Sequence, residues 1–151
     1  MTELNRTFLG RLSEQLSDLI EQQSAQVFER AGIIIPVKSS SLMGAIARLG
    51  PVSIAELVRA LDRSHQLIQQ KMRKLLALGL VSQRPSPDDQ RVNLIELTEL
   101  GREQLTLLDG LDDAFQRAYA EMETDAGPVF DAIDRAIISL KSRPLIDRMA
   151  L

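Results

Sequence analysis

The apolar positions of the first thirty residues recur at steps of three, four or eight, with polar residues between them. They are Leu4, Phe8, Leu12, Leu16, Leu19 and Val27. This spacing gathers apolar side chains on one side of a helix and predicts an amphipathic helix that ends at Ala31-Gly32. Residues 33–36 are apolar and end in proline, which predicts an extended connection.

Residues 38–79 predict three short helices. The first spans 38–49, stops at Gly50-Pro51 and has four inward-facing side chains, which are Leu42, Met43, Ile46 and Leu49. Ser53 and Glu56 have the spacing of a capping box and predict a second helix that ends near Leu61. The third spans Arg63 to Leu78 and ends at Gly79. Two short helices joined by a tight turn are typical of a helix-turn-helix.

A β-hairpin follows the second helix of this pair. Leu80–Arg84 and Arg91–Leu97 resemble strands, and the six residues between them contain two prolines and two acids. Because the hairpin comes directly after a helix-turn-helix, we interpret it as a wing.

Two more helices are predicted beyond the hairpin. Thr98 is a suitable N-cap for a long helix that continues to Gly127-Pro128, and a last helix covers about 129–142. An apolar tail begins at Pro144. The predicted fold is therefore mainly α: about six helices and one β-hairpin wing in a single domain, with 1–36 and 98–151 flanking a winged helix-turn-helix lobe at 37–97.

Composition limits the function. The 151 residues are 44% hydrophobic and 26% charged, and no apolar run is long enough to span a membrane. The absence of cysteine excludes thiolate metal sites and cysteine nucleophiles, and a single histidine, His65, provides no histidine cluster. We therefore expect no enzyme, no cofactor and no metal. The acidic, interrupted start does not resemble a signal peptide, so we expect a cytoplasmic protein.

Charge is distributed unevenly along the chain. The net charge is −3, but residues 53–91 carry seven basic and four acidic groups, whereas 92–127 carry two basic and nine acidic groups. A cationic segment in an acidic chain indicates a local anion-binding face, although an ordinary solvated surface can have the same composition.

The helix predicted from Arg63 has a polar side that contains no acid. A helical wheel places Gln66, Gln69, Gln70 and Arg73 together, opposite an apolar side formed by Ile68, Met72, Leu75 and Leu76. Glutamine can bond adenine, arginine can bond guanine, and a helix fits the major groove. Lys71 and Lys74 flank this arc and suit phosphates. The alternative is that every amphipathic surface helix has a polar side.

Residues at the ends of these elements have two interpretations each. Ser64 either caps the helix or contacts a phosphate, and His65 is either a boundary residue or a DNA contact. Arg84 and Arg91 bracket the wing tip, where an arginine can reach the backbone or the minor groove, and Asp89 would restrain Arg91. A surface ion pair at a hairpin is the alternative for the wing.

Together, these features resemble the MarR family of winged-helix transcriptional regulators. The resemblance covers about residues 50–105 and rests on four groups in this order: Gly50-Pro51-Val52-Ser53 with Glu56-Leu57; Leu75 with Gly79-Leu80-Val81; Asp89 with Arg91; and Leu97-Thr98 with Gly101. It implies that the helix from Arg63 recognises DNA and that the terminal helices form a two-fold dimer.

The resemblance implies a homodimeric repressor that binds a pseudo-palindromic operator in double-stranded DNA and is released by a small-molecule effector. The DNA-binding residues would be Ser64, Gln66, Gln69, Gln70, Arg73, Lys74, Arg84 and Arg91, and Asp89 would stabilise the wing. Without cysteine, the oxidant-sensing mode of some family members is excluded. The alternative is a winged-helix module that binds a protein and no DNA. A hydrolase that uses Asp88 and Asp89 is disfavoured because adjacent acids at a loop tip lack a cleft.

Overall fold

The computed structural model describes residues 6–151, which form seven α-helices and one antiparallel hairpin. Leu4, the first residue of the predicted apolar stripe, lies outside the described residues. Contacts divide the chain into two units, Met1–Gly110 and Leu111–Leu151.

The first unit contains five helices and both strands. They are α1 (Leu9–Ala31), α2 (Ser40–Leu49), α3 (Ile54–Leu61), α4 (His65–Ala77), β1 (Val81–Pro85), β2 (Asn93–Leu97) and α5 (Glu99–Asp109). The second unit contains α6 (Asp112–Ala126) and α7 (Val129–Ser142). Short 3-10 turns occupy Arg6–Phe8, Val37–Ser39 and Leu145–Arg148.

Local sequence signals determine several of these boundaries. The helix α1 ends at Gly32, whose φ of 72° lies in the left-handed region that glycine tolerates best. The capping box at α3 is confirmed, because the Glu56 amide donates to Ser53 Oγ and the Ser53 amide donates to Glu56 Oε2, each at 3.2 Å. Thr98 caps α5 as predicted, accepting from the Gly101 amide at 3.0 Å.

The core of the first unit lies between α2, α3, α4 and the hairpin. Its largest fully buried side chains are Leu42, Met43, Ile46, Val52, Leu57, Ile68, Leu75, Leu80 and Ile95. The inward prediction for α2 is wrong at Leu49, which is 42% exposed. Leu49 is the last residue of α2, and the chain turns away at Gly50-Pro51, so no element covers it.

The helix predicted from Thr98 to Gly127 is two helices. The structure interrupts it at Gly110 and Leu111, whose ψ values of −16° and −6° are those of a turn. Glycine weakens a helix interior, and Asp112 and Asp113 directly after the turn favour a new helix N-terminus.

Gly101 allows α5 to pack closely against the hairpin. A Cβ atom at this position would lie 2.0 Å from the carbonyl oxygen of Leu80, a distance that two such atoms cannot occupy. The Thr98 amide also donates to that carbonyl at 3.1 Å, so the start of α5 is held against the start of β1. This packing fixes the base of the wing.

Both units expose apolar side chains on their terminal helices. In the first unit, α1 buries only Ser24 and Phe28 among its residues. In the second unit, α7 has no fully buried residue, and its stripe of Phe130, Ile133 and Ile137 is 45–57% exposed. Among the described helices, none is long and apolar enough to cross a membrane.

Candidate nucleic-acid interface

The helix α4 presents two chemically different sides. Ile68, Met72 and Leu75 are at most 2% exposed, which confirms them as core residues, and Leu76 is only partly buried. The predicted polar arc lies outside: Gln66, Gln69, Gln70 and Arg73 are all exposed. The structure therefore brings these four side chains together on a solvent-facing surface.

Ser64 determines where α4 begins. Its hydroxyl oxygen accepts a hydrogen bond from the Leu67 amide at 3.2 Å, so the capping interpretation is confirmed. The same hydroxyl retains its own hydrogen as a donor, which can still reach a phosphate. His65, the first residue of α4, is exposed rather than placed at the apolar boundary.

The surface around the arc is cationic. Residues 63–87 contain five basic residues and no acid. Lys74 and Arg73 are both exposed, and no carboxylate in the described part of the chain forms a salt bridge with either. Their charges therefore remain available to a phosphate or a base edge.

Lys71 differs from its exposed neighbours. It is partly buried, and its ammonium donates to the backbone carbonyl of Lys38. Burial lowers the pKa of Lys71, and the nearby cations Arg63 and Lys38 lower it further. Sequence reasoning missed Lys38, which lies 33 residues away, because no local pattern relates the two positions.

The wing tip is longer than predicted. The second strand begins at Asn93 instead of Arg91, because the Val92 amide donates to the Asp89 carbonyl at 2.9 Å and places Arg91 in a turn; the Ser86 amide then donates to the Val92 carbonyl at 2.7 Å and closes the loop. Arg91 therefore belongs to the tip. This closure leaves seven residues, 86–92, between the strands.

Asp89 restrains Arg91 as expected. Two nitrogens of the guanidinium donate to the two carboxylate oxygens at 3.1 and 3.2 Å, and the Arg91 amide donates to Oδ1 at 3.0 Å. The hydrogen bonds from the side chain and backbone of Arg91 lower the pKa of Asp89. The Arg91 side chain nevertheless remains 91% exposed, so it is oriented without being covered.

Arg84 lies on β1 with its side chain half exposed. Its Nε is 3.5 Å from Glu96 Oε1 on β2, a long contact between exposed groups. Such pairs contribute little to stability, so this contact leaves Arg84 free to change partner. The wing thus presents two arginines, each beside one carboxylate.

The described residues contain no group of three or more histidine, aspartate or glutamate side chains that could hold a metal ion. Asp88 is exposed at the wing tip, and Asp89 is engaged by Arg91.

The fold and this surface define a winged helix-turn-helix protein, and comparison with known proteins agrees. Residues 35–92 match the MarR family. No curated protein matches the sequence. Among solved structures, the MepR–DNA complex from S. aureus is similar, with 16% identity, a TM-score of 0.65 and coverage of 95% of this chain and 100% of that chain.

Two further structures have the same fold. A cysteine-to-serine variant of MarR from E. coli, complexed with operator DNA, is 18% identical, with a TM-score of 0.67 and coverage of 95% of this chain and 100% of that chain. The adhesin competence repressor AdcR from Streptococcus pyogenes is 15% identical, with a TM-score of 0.55 and coverage of 89% and 97%. The segment that matches the MarR family includes α4 and the wing tip, and the structural similarities show the winged-helix fold over the chain.

Proposed function

We propose that this protein is a transcriptional regulator, acting as a repressor, that binds double-stranded DNA in a sequence-specific manner. The observation that carries the proposal is the exposed, acid-free arc of Gln66, Gln69, Gln70 and Arg73 on a helix whose other side is fixed in the core. A rigid helix with outward hydrogen-bonding side chains suits base recognition in the major groove.

The residues of α4 divide into two roles. The three glutamines and Arg73 read base edges, since their amides and guanidinium can form bidentate hydrogen bonds. Ser64 and Lys74 contact phosphates on either side of the groove and fix the orientation of the helix. DNA binding by similar proteins supports the proposal at the level of the fold, since MepR and a MarR variant have each been solved as complexes with DNA.

The wing supplies a second contact. Arg91 and Arg84 reach the phosphate backbone or the adjacent minor groove, where arginine is attracted by the negative potential. Asp89 holds Arg91 in one orientation before DNA arrives, which lowers the entropic cost of the contact.

We further propose that the protein acts as a homodimer. Residues 1–36 and 98–151 would form the dimer contacts, and 37–97 would contact DNA. The exposed stripes of α1 and α7 support this, because soluble monomers rarely expose so many large apolar side chains on a single helix. Two copies would place two α4 helices about 34–36 Å apart on a pseudo-palindromic operator.

Selection of binding sites from random DNA by the purified protein tests these points together. We expect an enriched pseudo-palindrome whose half-sites are separated by one helical turn, and affinity that falls steeply between about 50 and 200 mM salt. Failure to enrich any sequence would contradict the proposal and would favour the alternative, a winged-helix module that binds a protein partner.

Release by a small aromatic effector completes the proposal. In the second unit, Tyr119 stacks on Phe115 with ring centroids 6.0 Å apart and meets Phe130 edge-on at 5.5 Å. Such rings can repack against a phenol or an aromatic carboxylate. A thermal-shift screen with these compounds should find a stabilising ligand that also weakens operator binding; a screen without stabilisers would contradict this part.

A further inference from the structure

A polar bridge connects the candidate recognition helix to α1 through a single residue of the connection between α1 and α2. On one side, the Lys71 ammonium of α4 donates to the backbone carbonyl of Lys38. On the other side, the Lys38 ammonium pairs with Glu21 Oε2 at 2.9 Å and Asp18 Oδ1 at 3.5 Å, both on α1. Three elements of the first unit thus meet at Lys38.

The bridge lies where α1 has few other attachments. The buried residues of α1, Ser24 and Phe28, lie in its second half. Asp18 and Glu21 are three positions apart, so they share one side of the helix and both reach the same ammonium. The Glu21 carboxylate raises the pKa of Lys38, which keeps this cation charged.

A second side chain holds the same connection from α5. The buried Gln104 accepts from the Ile34 amide at 2.6 Å and donates to the Gly32 carbonyl at 3.2 Å. The backbone of residues 32–38 is therefore held near one end by a side chain of α5 and at the other end by a side chain of α4. The connection thus links α1 to both α4 and α5.

Lys71 has the surroundings of a positioning residue rather than a phosphate ligand. Its ammonium is partly buried, engaged with a carbonyl, and close to the cations Arg63 and Lys38. Lys74, one turn further along α4, is exposed and bound to no carboxylate among the described residues. The two lysines therefore offer a matched comparison on one helix.

We propose that Lys38 and Lys71 are positioning residues for DNA recognition. Together they join α4 to the acidic pair Asp18 and Glu21 of α1. Through this bridge, α1 sets the placement of α4 on the operator. This inference rests on the proposed DNA-binding function. It assigns a role in specificity to two carboxylates on α1, outside the set of proposed DNA contacts. Without this role, the two carboxylates would only repel DNA, because DNA phosphates carry the same negative charge.

The first test compares Lys71→Met with Lys74→Met in the full-length protein, using the selected operator and a scrambled duplex. Lys71→Met should lower the ratio of operator affinity to scrambled-duplex affinity about tenfold. The salt slope, which is the slope of the logarithm of affinity against the logarithm of salt concentration, should stay unchanged. Lys74→Met should weaken both duplexes equally and reduce the salt slope by about one. A reduced slope and an unchanged ratio for Lys71→Met would identify it as a phosphate contact and overturn the proposal.

The second test exchanges the charges of the ion pair. Lys38→Glu and Glu21→Lys should each lower the affinity ratio about two- to fivefold, the range expected for exposed ion pairs, and the double variant should restore it. A purely electrostatic effect of the two substitutions would change both duplexes together and leave the ratio constant, which would contradict the proposal. Lys38→Arg, which retains the charge, should resemble the wild type.

Hydrogen exchange without DNA separates this inference from the proposed function. In Lys38→Glu, the amides of the first turns of α4 should exchange about two- to fivefold faster, and the double variant should return to the wild-type rate. Unchanged exchange would overturn the bridge even if the wild type binds DNA. If the wild type selects no DNA while exchange responds as expected, the proposed function fails and the bridge stands.

Discussion

The helices α4 and α7 are similar in length and amphipathic character, yet they expose chemically opposite sides. In α4, which is 13 residues long, Ile68, Met72 and Leu75 of the apolar side are at most 2% exposed, and the polar side faces solvent. In α7, 14 residues long, the apolar stripe remains 45–57% exposed. The apolar side of α4 is packed within its own unit, and its polar side is available for binding. The helix α7 leaves its apolar side uncovered within its unit.

The comparison shows that amphipathicity alone does not define function. The same periodicity predicts both helices, but only burial shows which side is already satisfied. For α4 the free side is a hydrogen-bonding surface, which suits a nucleic acid. For α7 the free side is hydrophobic, which suits a second copy of the chain.

The largest effect should come from the buried side of α4. Leu75 is fully buried, so Leu75→Ala should lower the free energy of unfolding by about 2–5 kcal/mol through lost burial and a residual cavity. Ile138→Ala in α7, where the side chain is 58% exposed, should change it by less than about 0.5 kcal/mol. Urea unfolding measures both, and equal losses would remove the contrast between the helices.

The next effect concerns the apolar stripe of α7. Ile137→Glu places a charge in this stripe and should weaken self-association at least about tenfold, equivalent to about 1.4 kcal/mol. Sedimentation velocity over a range of concentrations would show the monomer. Ala132→Glu, which adds the same charge near Asp131 and Arg135 on another side of α7, is the control. Dissociation by both variants would mean that the stripe is not the interface.

The polar side of α4 should respond more specifically. Arg73→Ala should cost about 1–3 kcal/mol of operator binding and relax the preference at one base pair, if the guanidinium meets a guanine. Titrations with operator and scrambled DNA in gel-shift assays decide this. Equal losses on both duplexes would reassign Arg73 to a phosphate.

Sequence patterns located most of this architecture where the signals are local. Ser53 with Glu56, Thr98, and Gly32 each act within four residues, so the corresponding helix boundaries were predictable. The break at Gly110 was missed because a single glycine within a continuing apolar pattern is a weak signal.

The candidate interface was partly predictable for the same reason. The wheel placed the arc of α4 correctly because 3.6-residue periodicity determines sides locally. It could not distinguish Lys71 from Lys74, since their difference comes from Lys38, far away in sequence. The exposure of Leu49 was missed because helical periodicity gives the side of a residue but not whether another element still lies over the last residue of the helix.

The smallest effect concerns the wing, where Asp89 orients Arg91. Since the pKa of Asp89 is lowered in the folded protein, its ion pair is present above the ordinary aspartate pKa and is lost only as pH falls through the lower folded value. The Nε–H resonance of Arg91 should therefore stay unchanged from pH 8 to about 5. Asp89→Asn should lower the ratio of operator to scrambled affinity only about two- to fivefold, because the pair is exposed and screened by solvent. A change in the chemical shift of the Arg91 Nε–H resonance already near pH 6 would show that Asp89 does not hold Arg91.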